Sequence, residues 1–443
     1  MGGHAHPPRH RGVAGPAAEA ARRRRRHHPL PPRTLGRQGL PGGPARGGHL
    51  PARPDLHDRR RVRRDDHRPA LPPLARHRPG PRGARGARRD AVRPRRRACV
   101  ARPRRRARSR RPPAAAADVT VPPSRDPAPL IEVTRRDARD GAEVVESVHA
   151  GDLVVVDGDG RTHVALGDPH RPTFVRSTSK PFQATACLEL LALSGGTPTP
   201  PEIAVSWASH RGEPQHVSTV RRLLARSATE PAQLTCPASP SEADPGAVPA
   251  PILHNCSGKH ALFALAGQHQ GTTRERLLDL DGPLQRVVLG AVEDALGPVS
   301  AIGIDGCGAP AVAVPLAALA GAYVDLLVAD RWASVREAGL AHPQLVGGEG
   351  RLESALLAEG VVAKVGAEGV FAAAWRGRDG TPFGVAVKIT DGTARAATTA
   401  VWSLLAAREV VPADRWVPDH PRSGETVVGR IRATDTLRAV VGG

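Results

Sequence analysis

The chain has 443 residues and a formal net charge of +21, which by itself would favour binding to nucleic acid or to an anionic membrane. The charge is concentrated in one segment, because residues 1–117 carry 34 basic and 6 acidic side chains, whereas residues 118–443 carry 30 and 37. The larger segment is therefore slightly acidic, and we predict that it has no nucleic-acid partner.

Residues 1–117 form a low-complexity segment rich in arginine, proline and glycine. The segment lacks Lys, Ile, Asn, Tyr, Phe and Trp, so it cannot bury enough apolar surface to offset the entropy cost of ordering, and we predict that it is disordered. Five of these missing residue types have codons that begin with two A or T bases, which is typical of translated GC-rich DNA ahead of a true start. We place that start near residues 119–133. The alternative is a genuine basic arm of a nucleic-acid-associated protein, and N-terminal sequencing of the native protein separates the two.

No part of the chain has the 18 or so continuous apolar residues of a membrane span, and the N-terminus does not resemble a signal peptide. The richest apolar run, at residues 311–329, is predicted to be a buried core helix. An odd number of cysteines at irregular spacing does not indicate a disulfide framework; they are Cys99, Cys187, Cys236, Cys256 and Cys307. We predict a protein of the reducing cytoplasm with no membrane partner.

From residue 128 onward the composition becomes that of a globular domain. Alternation and turn residues predict strands at 130–134, 141–149, 153–156, 162–166, 301–304 (short and buried), 361–364, 370–375 and 384–389. Helical periodicity predicts helices at 182–193, 201–208, 216–228, 261–269, 273–279, 283–296, 351–358 and 394–408. Residues 231–251 contain six prolines and are predicted to be a loop.

Strands at both ends of this region and helices between them predict an α/β (α+β) fold. We expect a mixed sheet built from both ends of the chain and flanked by helices. The whole of residues 128–443 is predicted to form one catalytic domain.

Ser177 lies three residues ahead of Lys180, and Pro181 indicates that a helix begins here. On the first turn of a helix, residues three apart share one face, whereas Ser179 lies off the face of Lys180. A lysine amine with a lowered pKa can take the serine proton and make the hydroxyl a nucleophile. By itself the spacing is weak, because it also occurs by chance on surface helices.

Lysine is rare in this arginine-rich chain, which has only Lys180, Lys259, Lys364 and Lys388. Arginine can replace lysine as a cation but cannot lose its proton, so the remaining lysines are candidates for roles that need a neutral amine. The order Ser177-x-x-Lys180, then Ser209, then Lys364-x-Gly resembles the motif order of penicillin-binding proteins and class A β-lactamases. This order favours serine acyl transfer.

Cys256 lies three residues ahead of Lys259, and Cys307 follows further along the chain. Two thiolates are ligands that zinc prefers, and a lysine could join them as the free amine. Buried thiols that pack as small hydrophobic groups are the alternative at this point. Cys187 and Cys236 have no such neighbours in sequence and are predicted to be structural.

Six motifs together resemble the rhizobial-type L-asparaginases, the asparaginase II family. They are Arg-Ser-Thr-Ser-Lys-Pro-Phe at 176–182, Ser-His-x-Gly-Glu-Pro-x-His at 209–216, His-Asn-Cys-Ser-Gly-Lys-His at 254–260, Asp-Gly-Cys-Gly-x-Pro at 305–310, His-Pro-x-x-Val-x-Gly-x-x-Arg at 342–351 and Lys-x-Gly-Ala-Glu-Gly at 364–369. The resemblance implies hydrolysis of L-asparagine to L-aspartate and ammonia. It also implies a fold similar to that of serine β-lactamases and penicillin-binding proteins, and a homodimer.

The resemblance assigns a role to each candidate site residue. It implies that Ser177 is the nucleophile with Lys180 as its base. It also implies a second serine–lysine pair, Ser209 and Lys364, that assists proton transfer. Zinc close to the substrate would be bound by Cys256, Lys259 and Cys307. The side chains that contact the substrate would be those of Asp305, His260 and Arg176. A glutaminase or a penicillin-recognising acyl hydrolase is the alternative with the same chemistry.

Overall fold

The computed structural model describes residues 124–193 and 196–441. The predictions made for residues 1–117 lie outside this part of the chain. None of the described helices is both long and apolar enough to cross a membrane.

Twelve strands are present in the described residues, and seven of them form one large sheet. The sheet order is β12-β1-β2-β9-β8-β7, with β3 also paired to β2, and two smaller sheets have the orders β4-β6-β5 and β10-β11. The strands are β1 Ala128–Arg136, β2 Glu143–Asp157, β3 Thr162–Leu166, β4 Pro172–Phe174, β5 Ala301–Ile304, β6 Pro310–Pro315, β7 Val362–Val365, β8 Val370–Arg376, β9 Pro382–Ile389, β10 Arg422–Ser423, β11 Thr426–Val427 and β12 Ile431–Ala433.

The prediction of a mixed sheet is wrong, because every pairing between the described strands is antiparallel. The physical reason is that β1, β2 and β3 follow one another through short turns, as do β7, β8 and β9, and short turns can join only antiparallel neighbours. The strands predicted at 141–149 and 153–156 are a single long strand, β2.

Eleven helices and several short 3₁₀ turns complete the described fold. The helices are α1 Lys180–Ala192, α2 Pro200–Ser206, α3 Pro214–Ala225, α4 Ser257–His269, α5 Pro283–Leu296, α6 Leu316–Val328, α7 Ala333–Ala341, α8 Pro343–Val346, α9 Leu352–Ala358, α10 Ala394–Ala407 and α11 Asp435–Val441.

The large sheet is covered on both faces, and alternation along β2 shows why. Val154 and Val156 point into the core that contains α6, whereas Leu153 and Val155 point into the core that contains α10. The large sheet and α6 come very close together at Gly384 in β9, where any side chain would collide with the carbonyl oxygen of Ala320 in α6. Burial of both faces explains why residues 153–156 of β2 are a continuous apolar run, and the predicted flanking of the sheet by helices is confirmed.

Three element predictions need correction. The run at 311–329 is not one helix, because its first residues pair with β4 and β5 as strand β6, and α6 begins only after Pro315. Residues 273–279 contain a single 3₁₀ turn, Arg274–Arg276, in place of a helix. Strand β5 exists as predicted, but it is not buried, since Ile304 is 87% exposed at the edge of the small sheet.

The fold brings the six motifs together around one junction between the large sheet and the helices. The 3₁₀ turn Arg176–Ser179 joins β4 to α1 and packs against β7 and β8. Gly366, just beyond β7, lies so close to this turn that a side chain would press on Val175 and Thr178. Strand β7 and the turn that carries Ser177 therefore lie side by side.

Candidate active site

Hydrogen bonds from two neighbouring side chains hold the turn that carries Ser177 in place. Arg176 adopts a left-handed backbone conformation, with a φ of 51°, which costs energy in a residue other than glycine and often marks a functional site. Tyr323 donates a hydrogen bond to the carbonyl oxygen of Thr178 over 2.9 Å, and Ser179 donates to that of Arg176 over 2.8 Å. The Ser177 side chain is partly exposed, and its hydroxyl makes no hydrogen bond to any described residue. It is thus available to a ligand.

Lys180 is the first residue of α1 and is 1% exposed. Its amine donates hydrogen bonds to the carbonyl oxygen of Ala208 over 2.5 Å and to the hydroxyl of Ser209 over 3.1 Å. It is also a hydrogen-bonding neighbour of the Cys256 thiol. Lys180 therefore links the predicted second serine to the predicted metal site, although no direct hydrogen bond joins its amine to Ser177 Oγ within the described part of the chain.

The loop after Ser209 is tied to the start of α4 by a buried histidine. The backbone N–H of Gly212 donates to His210 Nδ1 over 3.1 Å, so the proton is on Nε2, which donates to Ser257 Oγ over 2.8 Å. Burial lowers the pKa of His210 well below its usual range. Next to Ser257, Gly258 packs so tightly on the carbonyl oxygen of Val205 that no side chain would fit. These contacts fix the position of Ser209 relative to Cys256.

Lys364 lies in β7 with its side chain fully buried. Its amine donates to the carbonyl oxygen of Val365 over 3.1 Å and lies 3.7 Å from a carboxylate oxygen of Glu353, which is itself buried. Burial lowers the pKa of Lys364 to about 7, and Glu353 opposes the shift only in part. A substantial fraction of this amine is therefore neutral at physiological pH, as a general base requires. No hydrogen bond between Lys364 and Ser209 occurs among the described residues.

Cys256, Lys259 and Cys307, which we call the thiol cluster, come together although Cys307 is distant in sequence. The amine of Lys259 donates to the Cys307 thiol over 3.2 Å, and the Cys256 thiol donates to Asn255 Oδ1 over 3.1 Å. All three side chains are buried. The interaction with Cys307, together with the charges of Lys180 and Lys259, lowers the pKa of Cys256 well below its usual range.

Arg176 and Asp305 form an ion pair at the same junction. The guanidinium group donates through Nη2 to Asp305 Oδ1 over 2.8 Å and through Nε over 3.2 Å. Burial would raise the pKa of Asp305, but Lys259 and Arg176 outweigh it and lower the pKa. The pair is partly exposed and can reach a bound molecule.

His260 lies next to Cys307 of the thiol cluster, and its side chain is 1% exposed. Its Nδ1 is hydrogen-bonded to Thr235 Oγ1 over 2.6 Å, and the ring also interacts with Cys307. Burial lowers the pKa of His260 to about 4, so the ring is neutral at physiological pH. This position makes His260 a support for Cys307, while its predicted contact with substrate stays a prediction.

Comparison with known families shows to which family the chain belongs. The family of L-asparaginase II matches residues 133–433, which include all six motifs and every candidate site residue. The chain belongs to the L-asparaginase II family. This assignment makes the protein an amidohydrolase of the asparaginase type. No individual curated protein matches the chain.

The thiol cluster of this asparaginase II family member has donors that suit zinc. Two converging thiols, one with a lowered pKa, are soft ligands of the kind that zinc prefers. The third donor, Lys259, would bind only as the free amine, so metal binding would release a proton. No group of three or more His, Cys, Asp or Glu within the described ranges could hold a metal ion, and Lys259 as a third ligand stays a prediction.

Four residues that contact the candidate site were not predicted from the sequence, namely Tyr323, Glu353, Cys236 and His254. Cys236 was predicted to be structural, yet its thiol is close enough to Cys256 and Cys307 for their charges to raise its pKa, after burial, to about 12. Tyr323 is the only tyrosine in the chain, so the argument from rare residues would have found it. Glu353 had a weaker signal, a single acidic residue on the apolar face of a helix.

Proposed function

We propose that this protein hydrolyses L-asparagine to L-aspartate and ammonia with Ser177 as the nucleophile. The observation that carries the proposal is the hydrogen bond between Lys180 and Ser209 beside the free hydroxyl of Ser177, in a chain of the L-asparaginase II family. Two buried lysines flank the reacting group in this proposal, and one of them, Lys364, has a pKa of about 7.

In the proposed reaction, Ser177 Oγ attacks the carbon of the side-chain amide and forms an aspartyl ester. The serine proton passes to Lys180, which shares it with Ser209 through their hydrogen bond. The C–N bond then breaks, and a proton delivered through Ser209 and Lys364 converts the leaving nitrogen to ammonia. Water, losing its proton to a neutral lysine amine, attacks the ester and releases L-aspartate with the serine regenerated.

Asp305 and Arg176 are proposed to hold the charged groups of the amino acid, with the carboxylate of Asp305 facing the substrate ammonium group. We also propose that Cys256, Lys259 and Cys307 hold one zinc ion. When bound, zinc would supply a Lewis acid that attracts a substrate oxygen. A serine β-lactamase-like fold, a homodimer and a cytoplasmic location are further proposals that depend on the family resemblance, and size-exclusion chromatography with light scattering tests the dimer.

The experiment is an ammonia-release assay on asparagine, glutamine and a β-lactam. We expect asparagine to be preferred and Ser177→Ala to lose activity by at least about a thousandfold, as removal of a nucleophile does in comparable enzymes. The matched control is Ser179→Ala, since that hydroxyl only bonds the carbonyl oxygen of Arg176. Equal activity of the two variants would refute the nucleophile assignment. A preference for glutamine or the β-lactam would replace the substrate and keep the chemistry.

A further inference from the structure

The turn that carries Ser177 changes its hydrogen-bonding pattern at the next residue, Thr178. In a 3₁₀ turn each carbonyl oxygen accepts from the backbone N–H three residues later. The N–H of Thr178 donates in this way to the carbonyl oxygen of Val175 over 3.1 Å, and the N–H of Lys180 donates to that of Ser177. The carbonyl of Thr178 would need the N–H of residue 181, but Pro181 has none. The 3₁₀ pattern therefore supplies no donor to this carbonyl.

The missing donor is supplied by the hydroxyl of Tyr323 in α6. It donates to the carbonyl oxygen of Thr178 over 2.9 Å, and the tyrosine is 0% exposed. Burial raises the pKa of Tyr323 well above its usual range, so the hydroxyl keeps its proton and remains a donor. The hydroxyl thus replaces the N–H that Pro181 lacks.

The position of Tyr323 is fixed by packing in the core. Its ring packs edge-on against Phe182, with ring centroids 6.1 Å apart, and Phe182 packs edge-on against Trp332 with centroids 5.1 Å apart. Three residues before Tyr323, the carbonyl oxygen of Ala320 lies against Gly384 of the large sheet. The hydroxyl therefore binds the turn to the layer formed by α6 and the sheet.

The backbone of the turn is strained next to Ser177. The φ of 51° at Arg176 is a conformation that persists in a residue other than glycine only where the surrounding contacts determine it. Ser177 Oγ makes no hydrogen bond to any described residue, so the backbone of the turn determines where this oxygen lies. The bond from Tyr323 acts on that backbone one residue away from Ser177.

We propose that Tyr323 is a positioning residue that places Ser177 Oγ for attack through its hydrogen bond to the carbonyl of Thr178. This inference rests on the proposed function, because it takes Ser177 as the nucleophile. In this role the tyrosine acts through the backbone and exchanges no proton. It therefore contributes to kcat and leaves the binding of substrate unchanged.

The test is Tyr323→Phe, which removes one oxygen atom and keeps the ring that packs on Phe182. We expect kcat for asparagine to fall about tenfold to a hundredfold, since misplacing a reacting atom by about 1 Å can cost a factor of about a hundred. KM, and the affinity for L-aspartate measured by calorimetry, should stay within about twofold of the wild type. The melting temperature should fall by about 2–8 °C, because a buried carbonyl loses its donor.

Thr434→Val is the matched control for the loss of stability. The Thr434 hydroxyl is also buried and donates to the backbone carbonyl oxygens of Pro129 over 2.7 Å and Leu130 over 3.2 Å. The residue follows β12, at the edge of the large sheet opposite to β7. We expect a similar fall in melting temperature with an unchanged kcat. A kcat loss in Tyr323→Phe no larger than in this control, or a loss entirely in KM, would overturn the inference.

A second variant tests the missing donor directly. Pro181→Ala provides a backbone N–H three residues after Thr178, so adding it to Tyr323→Phe should recover part of the lost kcat. If Pro181→Ala raises the kcat of Tyr323→Phe no more than that of the wild type, the hydrogen bond to Thr178 is not the cause of the loss and the inference fails. If Tyr323→Phe alone does not fold, the double variant takes its place in the comparison with Thr434→Val, and it should still lose more kcat.

Failure of the proposed function would give a different result. A wild type that releases no ammonia from asparagine, or a fully active Ser177→Ala variant, would overturn the proposed function and this inference together. An active wild type, an inactive Ser177→Ala variant and an unchanged kcat in Tyr323→Phe would overturn the inference alone.

Discussion

Lys364 in β7 and Lys259 in α4 are both buried amines, yet their surroundings move their pKa values in opposite directions. Burial lowers the pKa of Lys364 to about 7, because the opposing charges of Glu353, 3.7 Å away, and of Cys256 offset the shift only in part. Burial also opposes the charge of Lys259, but the thiols of Cys307 and Cys256 outweigh it and raise the pKa. Burial alone therefore does not decide whether a lysine can act as a base.

The difference separates the site into two regions with different chemistry. Around Lys364 an amine is held partly neutral at physiological pH, which suits proton transfer during acyl exchange. In the thiol cluster a charged amine and an acidic thiol neutralise each other, and the proposed metal ion would displace the proton on binding. One region would thus serve turnover and the other would serve metal and substrate binding.

The largest expected effect comes from Lys364→Met, which removes the amine and nearly preserves the volume. We expect kcat to fall by about a hundredfold or more, since loss of a general acid–base group costs about 10²–10⁴ in rate. The protein should remain folded, as circular dichroism and thermal unfolding can check. The reason is that methionine nearly fills the buried volume of the lysine side chain and leaves no large cavity.

Lys388→Met is the matched control for that variant. Lys388 lies on β9, which is separated from β7 by β8, and its amine donates to the backbone carbonyl oxygen of Glu368. We expect a loss of activity of less than about tenfold, since the variant removes one exposed hydrogen bond, which contributes about 1 kcal/mol. If the two methionine variants are equally active, the lowered pKa of Lys364 has no role in catalysis and the comparison of the two regions fails.

A smaller effect should follow from Cys256→Ser, which tests the thiol cluster. We expect zinc affinity, measured by competition with a chelator, to fall by about tenfold to a hundredfold or more, because a hydroxyl is a poorer zinc ligand than a thiolate. Cys187→Ser changes a thiol of the same type that is buried in the core, where burial raises its pKa, and it should leave zinc content unchanged. Equal metal content in both variants would remove the proposed site.

Much of the fold could be predicted because strong local signals agreed with tertiary structure. The β8–β9 hairpin, the helix α10 on its face and the edge strand β7 all occur where alternation and turn residues placed them. The run at 311–329 failed because an apolar stretch has the same composition in a buried strand as in a helix. The exposure of Ile304 could not be predicted, because the sequence of the four residues of β5 does not show that this strand lies at the edge of its sheet.

The candidate site could be predicted as a set of residues, but its contacts could not. Spacing brought Ser177 and Lys180 to one turn, yet the lysine amine bonds Ser209 across 28 intervening positions of chain. That partner depends on how α2 packs against α1, which no local pattern shows. The pKa of Lys364 likewise depends on Glu353, which comes from a neighbouring helix.

The last prediction concerns the pH dependence of kcat/KM and of the free energy of unfolding, which tests directly whether Lys364 is neutral where Lys259 is charged. Four charged groups face the Lys364 amine, and they are Glu353, Lys180, Cys256 and Arg351. If the neutral amine is the active form, kcat/KM should rise about tenfold per pH unit up to about pH 7 and then level off. This acidic limb should be absent in Lys364→Met.

Stability should change in the same direction over a higher range. The folded pKa of about 7 lies below the unfolded value of 10.5, so between these values the unfolded chain binds more protons. The free energy of unfolding of the wild type, relative to Lys364→Met, should therefore be constant below pH 7 and rise above it, by up to about 1.4 kcal/mol per pH unit. Urea unfolding of both proteins at pH 6, 7, 8 and 9 measures the difference. A constant difference across that range would mean that the Lys364 amine stays charged in the folded protein, as the Lys259 amine does. The two lysines would then have the same charge state, and the comparison between them would fail.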